Sequence, residues 1–169
     1  MHPNSYRLMR EFVNKYLTKK KDEQLTILDI GSRDINGSYK PLFGCPEWNY
    51  IGVDFEPGKN VNVLLTNPHF WKDSIENSTA DVVISGQALE HMPHFWLVMK
   101  EIRRIMKTGA LVCVIVPSKG PIHKQPVDCY RFLPDGMRAI ARWAQLNLLE
   151  LRHDENSVWG DIMFVGKKP

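Results

Sequence analysis

A histidine stands directly after a carboxylate side chain at Glu90 and His91, within the stretch 87–93. Imidazole titrates near neutral pH, so a histidine can take a proton from a hydroxyl group that is about to react. His91 is therefore a candidate general base, and Glu90 beside it is a candidate contact for the reacting molecule. The alternative is that the His91 ring bonds a backbone carbonyl group and only shapes its loop.

A second histidine, His123, lies five residues before Asp128 in a loop rich in proline, glycine and polar residues. A carboxylate can orient an imidazole ring and make it a stronger base, so this pair is a second catalytic candidate. Tyr130 and Arg131 would add a hydroxyl group and a fixed cation for a polar substrate. The alternative is a loop packed by its own side chains, in which Asp128 and Arg131 pair with each other.

The stretch 26–37 has the pattern of a ligand-binding turn. A run of apolar and β-branched residues that contains Asp29 is followed at once by Gly31, and Gly37 follows in a polar segment. Glycine lets the backbone turn sharply and lets a ligand approach where a Cβ atom would clash. Open α/β sheets bind ligands at the carboxyl ends of their strands, where these residues would lie. The pattern predicts a nucleotide-type site, and on its own it does not name the ligand.

The elements that must position these residues alternate between strand and helix. Short apolar runs bounded by turn residues predict strands, and apolar residues at helical spacing predict helices. The predicted strands lie at 25–30, 48–54, 61–65, 81–85, 110–116, 146–151 and 161–165. The predicted helices lie at 6–17, 95–106 and 137–144, with a glycine stop for the second at 107–109 and the start of a further helix at Asn67-Pro68.

This alternation predicts an α/β fold, with a mostly parallel sheet between two layers of helices. The last two predicted strands are joined by nine mostly polar residues. That is too few for a helical crossover, so the two strands must be antiparallel neighbours. We expect seven strands with one antiparallel strand near the carboxyl terminus. One domain is expected over 1–169, with a helix and linker at 1–24 and a catalytic core at 25–169.

The composition narrows the classes of function. The chain has 169 residues, of which 43% are hydrophobic and 24% charged, as in an ordinary globular protein. No apolar run approaches the roughly 20 residues that span a bilayer, and the start lacks the apolar core of a signal peptide. A net charge of +3 is too small to indicate nucleic-acid binding. The three cysteines lack metal-ligand spacing and are typical of reduced thiols, so we expect a cytoplasmic protein without a metal site.

Several motifs occur together in a fixed order. They are Leu-Asp-Ile-Gly-Ser at 28–32, Tyr-Ile-Gly-Val-Asp at 50–54, Leu-Glu-His-Met at 89–92, the run 103–111 and the closing antiparallel hairpin. With these motifs the chain resembles, over 27–166, the class I S-adenosylmethionine-dependent methyltransferases, in particular the small group whose central motif ends in Glu-His. The resemblance implies their three-layer, Rossmann-like methyltransferase fold and S-adenosylmethionine as the cofactor.

The resemblance also implies positions around the cofactor. The loop 31–37 would hold its methionine part, Asp29 would help to hold the ammonium group, and Asp54 would accept both ribose hydroxyl groups. A carboxylate suits this diol because it can accept two charge-assisted hydrogen bonds. The full set of predicted cofactor contacts is Asp29, Gly31, Ser32, Arg33, Gly37, Asp54, Phe55, Gln87 and Leu89.

Two places depart from the family pattern. Arg33 stands where a second glycine is usual, and it would either contact the cofactor carboxylate or be exposed to solvent. Thr66 and Asn67 stand where the family often has an acid for the adenine amino group. Adenine recognition would then rely on backbone groups and on Phe70 or Trp71 packing on the ring. The alternative is that these two aromatic residues belong to the core.

The predicted function is methyl transfer to an oxygen atom of a polar acceptor, such as a sugar, a glycan or a secondary metabolite. The residues predicted to act in catalysis are His91, His123 and Asp128. The residues predicted to contact the acceptor are Glu90, Tyr130 and Arg131. With almost no insertion to form a lid, the site is expected to be open unless a second copy, in a homodimer, or the amino-terminal helix closes it. The alternatives are a cofactor-binding partner protein without catalysis and a nicotinamide-dependent oxidoreductase, which needs a tighter glycine turn.

Overall fold

The computed structural model describes residues 2–169. Its helices are α1 (Pro3–Phe12), α2 (Phe95–Ile105) and α3 (Pro134–Trp143). Its strands are β1 (Leu25–Ile30), β2 (Trp48–Asp54), β3 (Val63–Leu64), β4 (Ala80–Gly86), β5 (Met106–Val116), β6 (Asn147–His153) and β7 (Ile162–Lys167). A π-helical turn (Val13–Leu17) continues α1, and short 3-10 turns lie at Thr18–Lys20, Lys40–Phe43 and Leu89–His91. Across residues 2–169, no helix has the length and apolar character that a membrane crossing requires.

The seven strands pair in the order β3-β2-β1-β4-β5-β7-β6. Neighbours from β3 to β5 are parallel, and β7 is antiparallel to both β5 and β6. This arrangement confirms the predicted fold class, with β7 as the antiparallel strand near the carboxyl terminus. The chain runs outward from β1 to β3 and then returns to β4 on the other side of β1. The carboxyl ends of β1, β2 and β4 therefore flank the crevice in which open α/β sheets bind ligands.

The strands distribute their side chains between two apolar layers. Ile27 and Ile84 belong to the layer that contains α1, whereas Leu28 and Val83 belong to the layer that contains α2 and α3. This follows from the two-residue period of a strand, and a sheet covered on both faces needs apolar residues at successive positions. Phe12 on α1 is 1% exposed, and burial of such a side chain stabilises the fold by roughly 1.5–3 kcal/mol.

Three helix starts differ from the prediction, among them that of α3, which begins at Pro134 instead of residue 137. α1 begins at Pro3 instead of residue 6, because proline suits the first turn of a helix, where its missing N–H is not needed. Residues 67–79 form turns and no helix. The Asn67 side chain accepts bonds from two backbone amides at 2.9 and 3.2 Å, as a helix cap would. The Trp71 amide, however, donates to the Glu101 carboxylate at 2.8 Å, and this tertiary bond holds the turn.

The predicted glycine stop of the second helix belongs to strand β5 instead. α2 ends one residue earlier than predicted, and β5 starts by pairing Met106 with Ala80. Leu111 then pairs with Val82, so the residues between them bulge out of the ladder. Gly109, at φ +81°, supplies the backbone turn in this bulge. Because glycine takes that conformation at little cost, the same residue type can mark a bulge as well as a helix end.

Candidate functional site

A cleft of about 660 Å³ opens at the carboxyl ends of β1, β2 and β4. Much of its lining comes from four segments, at 29–39, 54–56, 86–93 and 117–131. Each segment contains or follows the end of a parallel strand, so the topology alone brings the four together.

Gly31 makes the turn that leaves β1. Its φ is +78°, and a Cβ atom there would lie 2.5 Å from the Cβ atom of Ala88. The missing side chain lets the loop after β1 lie directly against the loop after β4. Both loops can therefore contact the same ligand.

Replacing Gly31 with alanine should destabilise the protein by about 1–3 kcal/mol, because of its left-handed backbone and the clash with Ala88. Gly136 on α3 is the matched control, since a Cβ atom there meets nothing within 4 Å. Its alanine variant should be as stable as the original protein or more stable by up to about 1 kcal/mol. Urea unfolding measures both changes, and equal stability of the two variants would contradict the clash.

Asp29 is a buried carboxyl group in the cleft wall, only 3% exposed. Its carboxylate accepts a hydrogen bond from the Tyr50 hydroxyl, whose oxygen accepts a bond from Asn60 at 3.0 Å. Burial raises the pKa of Asp29 to about 7, the Tyr50 bond opposes this shift, and the charge of Asp54 adds to it. A cationic ligand group would favour the ionised form of Asp29.

Because the pKa of Asp29 is raised in the folded protein, the free energy of unfolding depends on pH. The folded protein binds this proton more tightly than the unfolded chain, so the stabilising contribution is full below a pH of about 3.8 and is lost as pH rises through about 7. An Asp29→Asn variant lacks this loss, so its stability relative to the original protein should rise by about 3 kcal/mol between pH 5 and pH 8. Urea unfolding at both values measures it, with the exposed Asp73→Asn as control. A difference that does not change with pH would contradict the coupling.

Asp54 ends β2 and lines the cleft. Its carboxylate accepts the backbone amides of Arg33 at 2.9 Å, Phe55 at 2.7 Å and Glu56 at 3.2 Å. All three donors are main-chain groups, and a carboxylate has about four acceptor positions. The carboxylate therefore keeps acceptor capacity for a ligand in the cleft.

Arg33 is exposed, and its guanidinium group pairs with Glu56. Its side chain lies over Gly58, where a Cβ atom would come within 3.0 Å of Arg33 Cγ. An exposed ion pair of this kind contributes only about 0–1 kcal/mol to stability. Its effect is local, because it ties the loop after β1 to the loop after β2 at the rim of the cleft.

His91 is partly buried and lines the cleft. Its Nδ1 lies 2.6 Å from the backbone oxygen of Val127. A carbonyl oxygen can only accept, so Nδ1 carries the hydrogen and the neutral ring keeps its lone pair on Nε2. Burial lowers the pKa of His91, and the bond to Val127 opposes that shift. One residue thus makes the loop-shaping bond and keeps a basic nitrogen.

Glu90 is 3% exposed, and its Oε1 lies 3.8 Å from His91 Nε2. Burial raises the pKa of Glu90 to about 8, and the charge of Asp128 adds to the shift. Within residues 2–169, its Oε2 has no hydrogen-bond partner. A buried polar atom without a partner is costly, so this oxygen is a candidate contact for a molecule bound in the cleft.

Asp128 does not orient the His123 ring. Its carboxylate accepts two bonds from the Arg131 guanidinium, at 2.6 and 2.8 Å, and one from the His123 backbone amide at 2.6 Å. The bonds from Arg131 hold the pKa of Asp128 well below its usual range. Such two-pronged ionic pairs are stronger than a bond to neutral imidazole, so the loop takes the alternative arrangement, packed by its own side chains. The His123 ring instead lies with its centroid 5.8 Å from that of His91.

The cleft wall at 117–131 is anchored near its end. The backbone amides of Cys129 and Tyr130 donate to the Glu90 backbone oxygen at 2.8 and 3.2 Å. Residues 119–127, in contrast, are all exposed. The wall is therefore an exposed segment that is anchored to the Glu90 backbone oxygen at its carboxyl-terminal end.

The sequence model of a family described as a methyltransferase domain matches residues 1–156. The chain belongs to this family. The predicted membership of the S-adenosylmethionine-dependent methyltransferases is thereby confirmed, and with it the predicted cofactor.

One curated relative of the methyltransferase is demethylmenaquinone methyltransferase from Lactococcus lactis subsp. lactis (strain IL1403). The two sequences are 32% identical over an alignment of 124 residues, and the match covers 63% of this chain and 48% of the relative. The chain thus spans about half the length of that protein.

Solved methyltransferase structures share the fold. A SAM-dependent methyltransferase from Aquifex aeolicus has a TM-score of 0.64 at 16% identity, over 98% of each chain. The trans-methyltransferase CalH, solved in complex with SAH, has a TM-score of 0.72 at 17% identity, over 95% of this chain and 55% of its own. At such low identity the likeness supports the Rossmann-like methyltransferase fold and no finer property.

Most of the predicted site residues of the methyltransferase line its cleft. They are Asp29, Gly31, Ser32, Arg33, Gly37, Asp54, Phe55, Gln87, Glu90, His91, His123, Asp128 and Arg131. Leu89 lies in the core instead, 1% exposed. Tyr130 is not among the lining residues, and its hydroxyl donates to the Pro93 backbone oxygen at 2.7 Å. Trp71 is fully buried in the core, and Phe70 is exposed outside the cleft.

Three further residues that the sequence does not indicate as site residues also line the cleft of the methyltransferase, namely His2, Tyr39 and Trp159. Tyr39 packs against β4 so closely that a Cβ atom at Gly86 would clash with its hydroxyl group. The rings of His2 and Trp159 are stacked, with centroids 5.9 Å apart. These contacts join parts of the chain that are distant in sequence, so the sequence does not indicate them. The one signal for a site residue here was the presence of a tryptophan, Trp159, in the short polar turn before β7.

A buried carboxylate holds one of the predicted cofactor contacts in place. Asp161 has no exposed surface, and it accepts bonds from the side-chain amides of Gln87 at 2.9 Å and Asn4 at 2.6 Å. Gln87 itself has a φ of +56°, a rare conformation for a residue with a side chain. The bond to Asp161 therefore helps to fix both the backbone and the side chain of Gln87 at the cleft.

Proposed function

We propose that this methyltransferase transfers a methyl group from S-adenosylmethionine to an oxygen atom of a polar acceptor, such as a sugar, a glycan or a secondary metabolite. The observation that carries the proposal is the tautomer of His91. The Val127 backbone oxygen accepts a hydrogen bond from Nδ1, at an N–O distance of 2.6 Å. Because Nδ1 carries the hydrogen, Nε2 is the basic nitrogen of the ring, and His91 lies in the wall of the cleft. A hydroxyl acceptor needs such a base.

The polar groups of the cleft match those of the cofactor. S-adenosylmethionine, when bound, supplies a methyl group on a positively charged sulfur. Its ammonium group suits the buried carboxyl group of Asp29, whose pKa of about 7 allows ionisation when a cation is near. Its ribose diol suits Asp54, which is held by main-chain amides and keeps acceptor capacity.

The acceptor chemistry falls to His91 and its neighbours. In the proposed reaction, His91 Nε2 would take the proton of the acceptor hydroxyl as its oxygen accepts the methyl group, and the cofactor would leave as S-adenosylhomocysteine, with the electron pair of the broken carbon–sulfur bond on sulfur. Glu90, with an unpartnered Oε2, is proposed to contact the acceptor. Alignment of the two reacting groups supplies most of the rate, and the base keeps positive charge from building on the oxygen.

A second candidate is methylation of demethylmenaquinone. It is favoured by the 32% identity to the Lactococcus enzyme of that name. Two large apolar side chains near the cleft wall also suit an apolar acceptor, since Ile122 is 82% exposed and Val158 is 77% exposed. The polar composition of the loop around Ile122 favours the first candidate.

The test is a methyl-transfer assay with isotope-labelled S-adenosylmethionine against polar hydroxyl compounds and demethylmenaquinone. A labelled product with the methyl group on oxygen supports the proposal. Transfer to demethylmenaquinone alone would overturn it in favour of the second candidate. Cofactor binding in calorimetry without transfer to any acceptor would indicate a non-catalytic partner protein, and absence of cofactor binding would overturn both enzymatic candidates.

A further inference from the structure

A second cavity, of about 470 Å³, lies at the edge of the sheet opposite to the cleft. Its lining comes from 72–78, from the last turns of α2, from 143–145 at the end of α3 and from Lys168 after β7. β4 and β5 begin at this edge, whereas the cleft lies where they end. A ligand in this second cavity would therefore be separate from the methyl-transfer site.

Basic side chains dominate the lining of the second cavity, and no acidic side chain takes part. The basic residues are Lys72, Lys100, Arg103, Arg104 and Lys168. Among the ion pairs of residues 2–169, only Arg104 of these five is paired, with Glu101 at 2.8 Å. The whole chain carries a net charge of only +3, so this cavity concentrates basic charge that the net value conceals.

Two of these cations keep unused donors. Arg103 donates from Nε to the Gln145 backbone oxygen at 3.4 Å, and within the described chain its two amino groups have no partner. Lys168 donates to the Met106 backbone oxygen at 2.6 Å, which leaves two of its three donors. Burial and the nearby charge of Arg103 lower the pKa of Lys168. An anion that accepts from both residues would relieve this repulsion.

An exposed aromatic ring adjoins the cations. Trp143 is 44% exposed, and Lys100 Nζ lies 5.1 Å from its ring centroid. Cations that hold a phosphate beside an aromatic ring on which a base stacks are the usual means of binding a single-stranded nucleotide. The volume also lies within the range of about 300–1,000 Å³ that is common for small-ligand sites. Basic side chains whose only role was to interact with the negative carboxyl-terminal ends of α2 and α3 would not require this exposed ring.

We propose that the second cavity binds a nucleoside phosphate, either free or as the 5′ end of a single strand. Arg103 and Lys168 bind the phosphate group, and Trp143 stacks on the base. Lys100, beside the Trp143 ring, and Lys72 add positive charge that attracts the phosphate. The site goes beyond the proposed methyl transfer and does not depend on it.

Calorimetric titration of the full chain with uridine monophosphate tests the proposal. S-adenosylhomocysteine is present in excess, so that the nucleotide cannot enter the cofactor cleft. We expect saturable binding that is tighter than that of uridine or of inorganic phosphate. The double variant Arg103→Gln/Lys168→Gln should bind at least about tenfold more weakly, because charge-assisted bonds to the phosphate are lost. Trp143→Leu should also weaken binding.

Arg138→Gln is the matched control, since Arg138 is an exposed arginine of α3 outside the cavity. Its affinity for uridine monophosphate should equal that of the original protein. Thermal unfolding and S-adenosylhomocysteine affinity verify that each variant is folded. If the double variant unfolds, the exposed pair Lys72→Gln/Lys100→Gln should still weaken binding at low salt.

Equal affinity of the original protein and these variants would overturn the site. Equal affinity for uridine monophosphate and inorganic phosphate would overturn the stacking on Trp143, and with it the proposed ligand class. A 5′-phosphorylated uridine oligonucleotide that binds more tightly than the monophosphate would identify a strand end as the source. Equal affinity of the two would identify the free nucleotide, and both results support the site.

Discussion

Replacing His91 with asparagine is expected to lower kcat for methyl transfer to an oxygen acceptor by about 10²- to 10⁴-fold. Asparagine can still donate a hydrogen bond to the Val127 backbone oxygen, which lies 2.6 Å from Nδ1 in the original protein. The loop should therefore keep its shape and the cofactor its affinity. Asparagine has no basic nitrogen, so the hydroxyl proton loses its acceptor. Initial rates give kcat and KM, and calorimetry gives the cofactor affinity.

The pH profile separates a base from a residue that only supports the loop. Burial lowers the pKa of His91, so the rate should fall as pH drops through that lowered value, and His91→Asn should lose this acidic limb. His69→Asn is the control, because His69 lies outside the cleft with its Nε2 2.9 Å from His94. An unchanged kcat in His91→Asn would reject its role as the base and would direct the same experiment to His123.

Removing the Asp54 carboxylate in an Asp54→Ala variant should weaken S-adenosylmethionine binding by about 10- to 100-fold. Main-chain amides fill three of its acceptor positions, so about one charge-assisted hydrogen bond to the ribose would be lost, contributing about 1.5–3 kcal/mol. The variant also removes the acceptor of the Arg33 backbone amide, at 2.9 Å, so the loop after β1 loses an anchor. Calorimetric titration measures the loss.

Glu56→Gln is the matched control for the Asp54 variant. It lies two residues further along, and the substitution removes the ion pair with Arg33 but leaves the Asp54 carboxylate in place. Asp54→Asn keeps one acceptor oxygen and should bind with intermediate affinity. If Glu56→Gln weakened binding as much as Asp54→Ala, the general order of the rim and not the diol contact would explain the result.

Parts of the fold were predictable where local pattern and tertiary structure agree. β1 and β2 have the predicted bounds, 25–30 and 48–54, because each is an apolar run that turn residues enclose on both sides. The start of β5 was not predictable, because the pairing of Met106 with Ala80 is a tertiary contact. The missing helix after residue 67 has the same cause, since the bond from the Trp71 amide involves a distant helix.

The site follows a similar division. Asp29 and Asp54 were predictable, because topology brings the ends of neighbouring strands to one edge. Whether the Asp128 carboxylate pairs with the His123 ring or with Arg131 was not predictable. Both residues lie within five positions of Asp128, so only the folded geometry of the loop shows which side chain is its partner. The Tyr50 bond that opposes the raised pKa of Asp29 crosses from β2 to β1, and only the register of the two strands reveals it.

The anchoring of the cleft wall has a consequence for how this enzyme can diversify. Residues 119–127 are exposed, and the amides of Cys129 and Tyr130, which anchor the end of the wall on Glu90, lie beyond them. Side chains in that segment can change without removing this anchor, because both anchoring bonds are made by backbone groups outside the segment. Gene duplicates could thus acquire new acceptors by drift in one short stretch, and a mutant library confined to it is the natural starting point for changing substrate range.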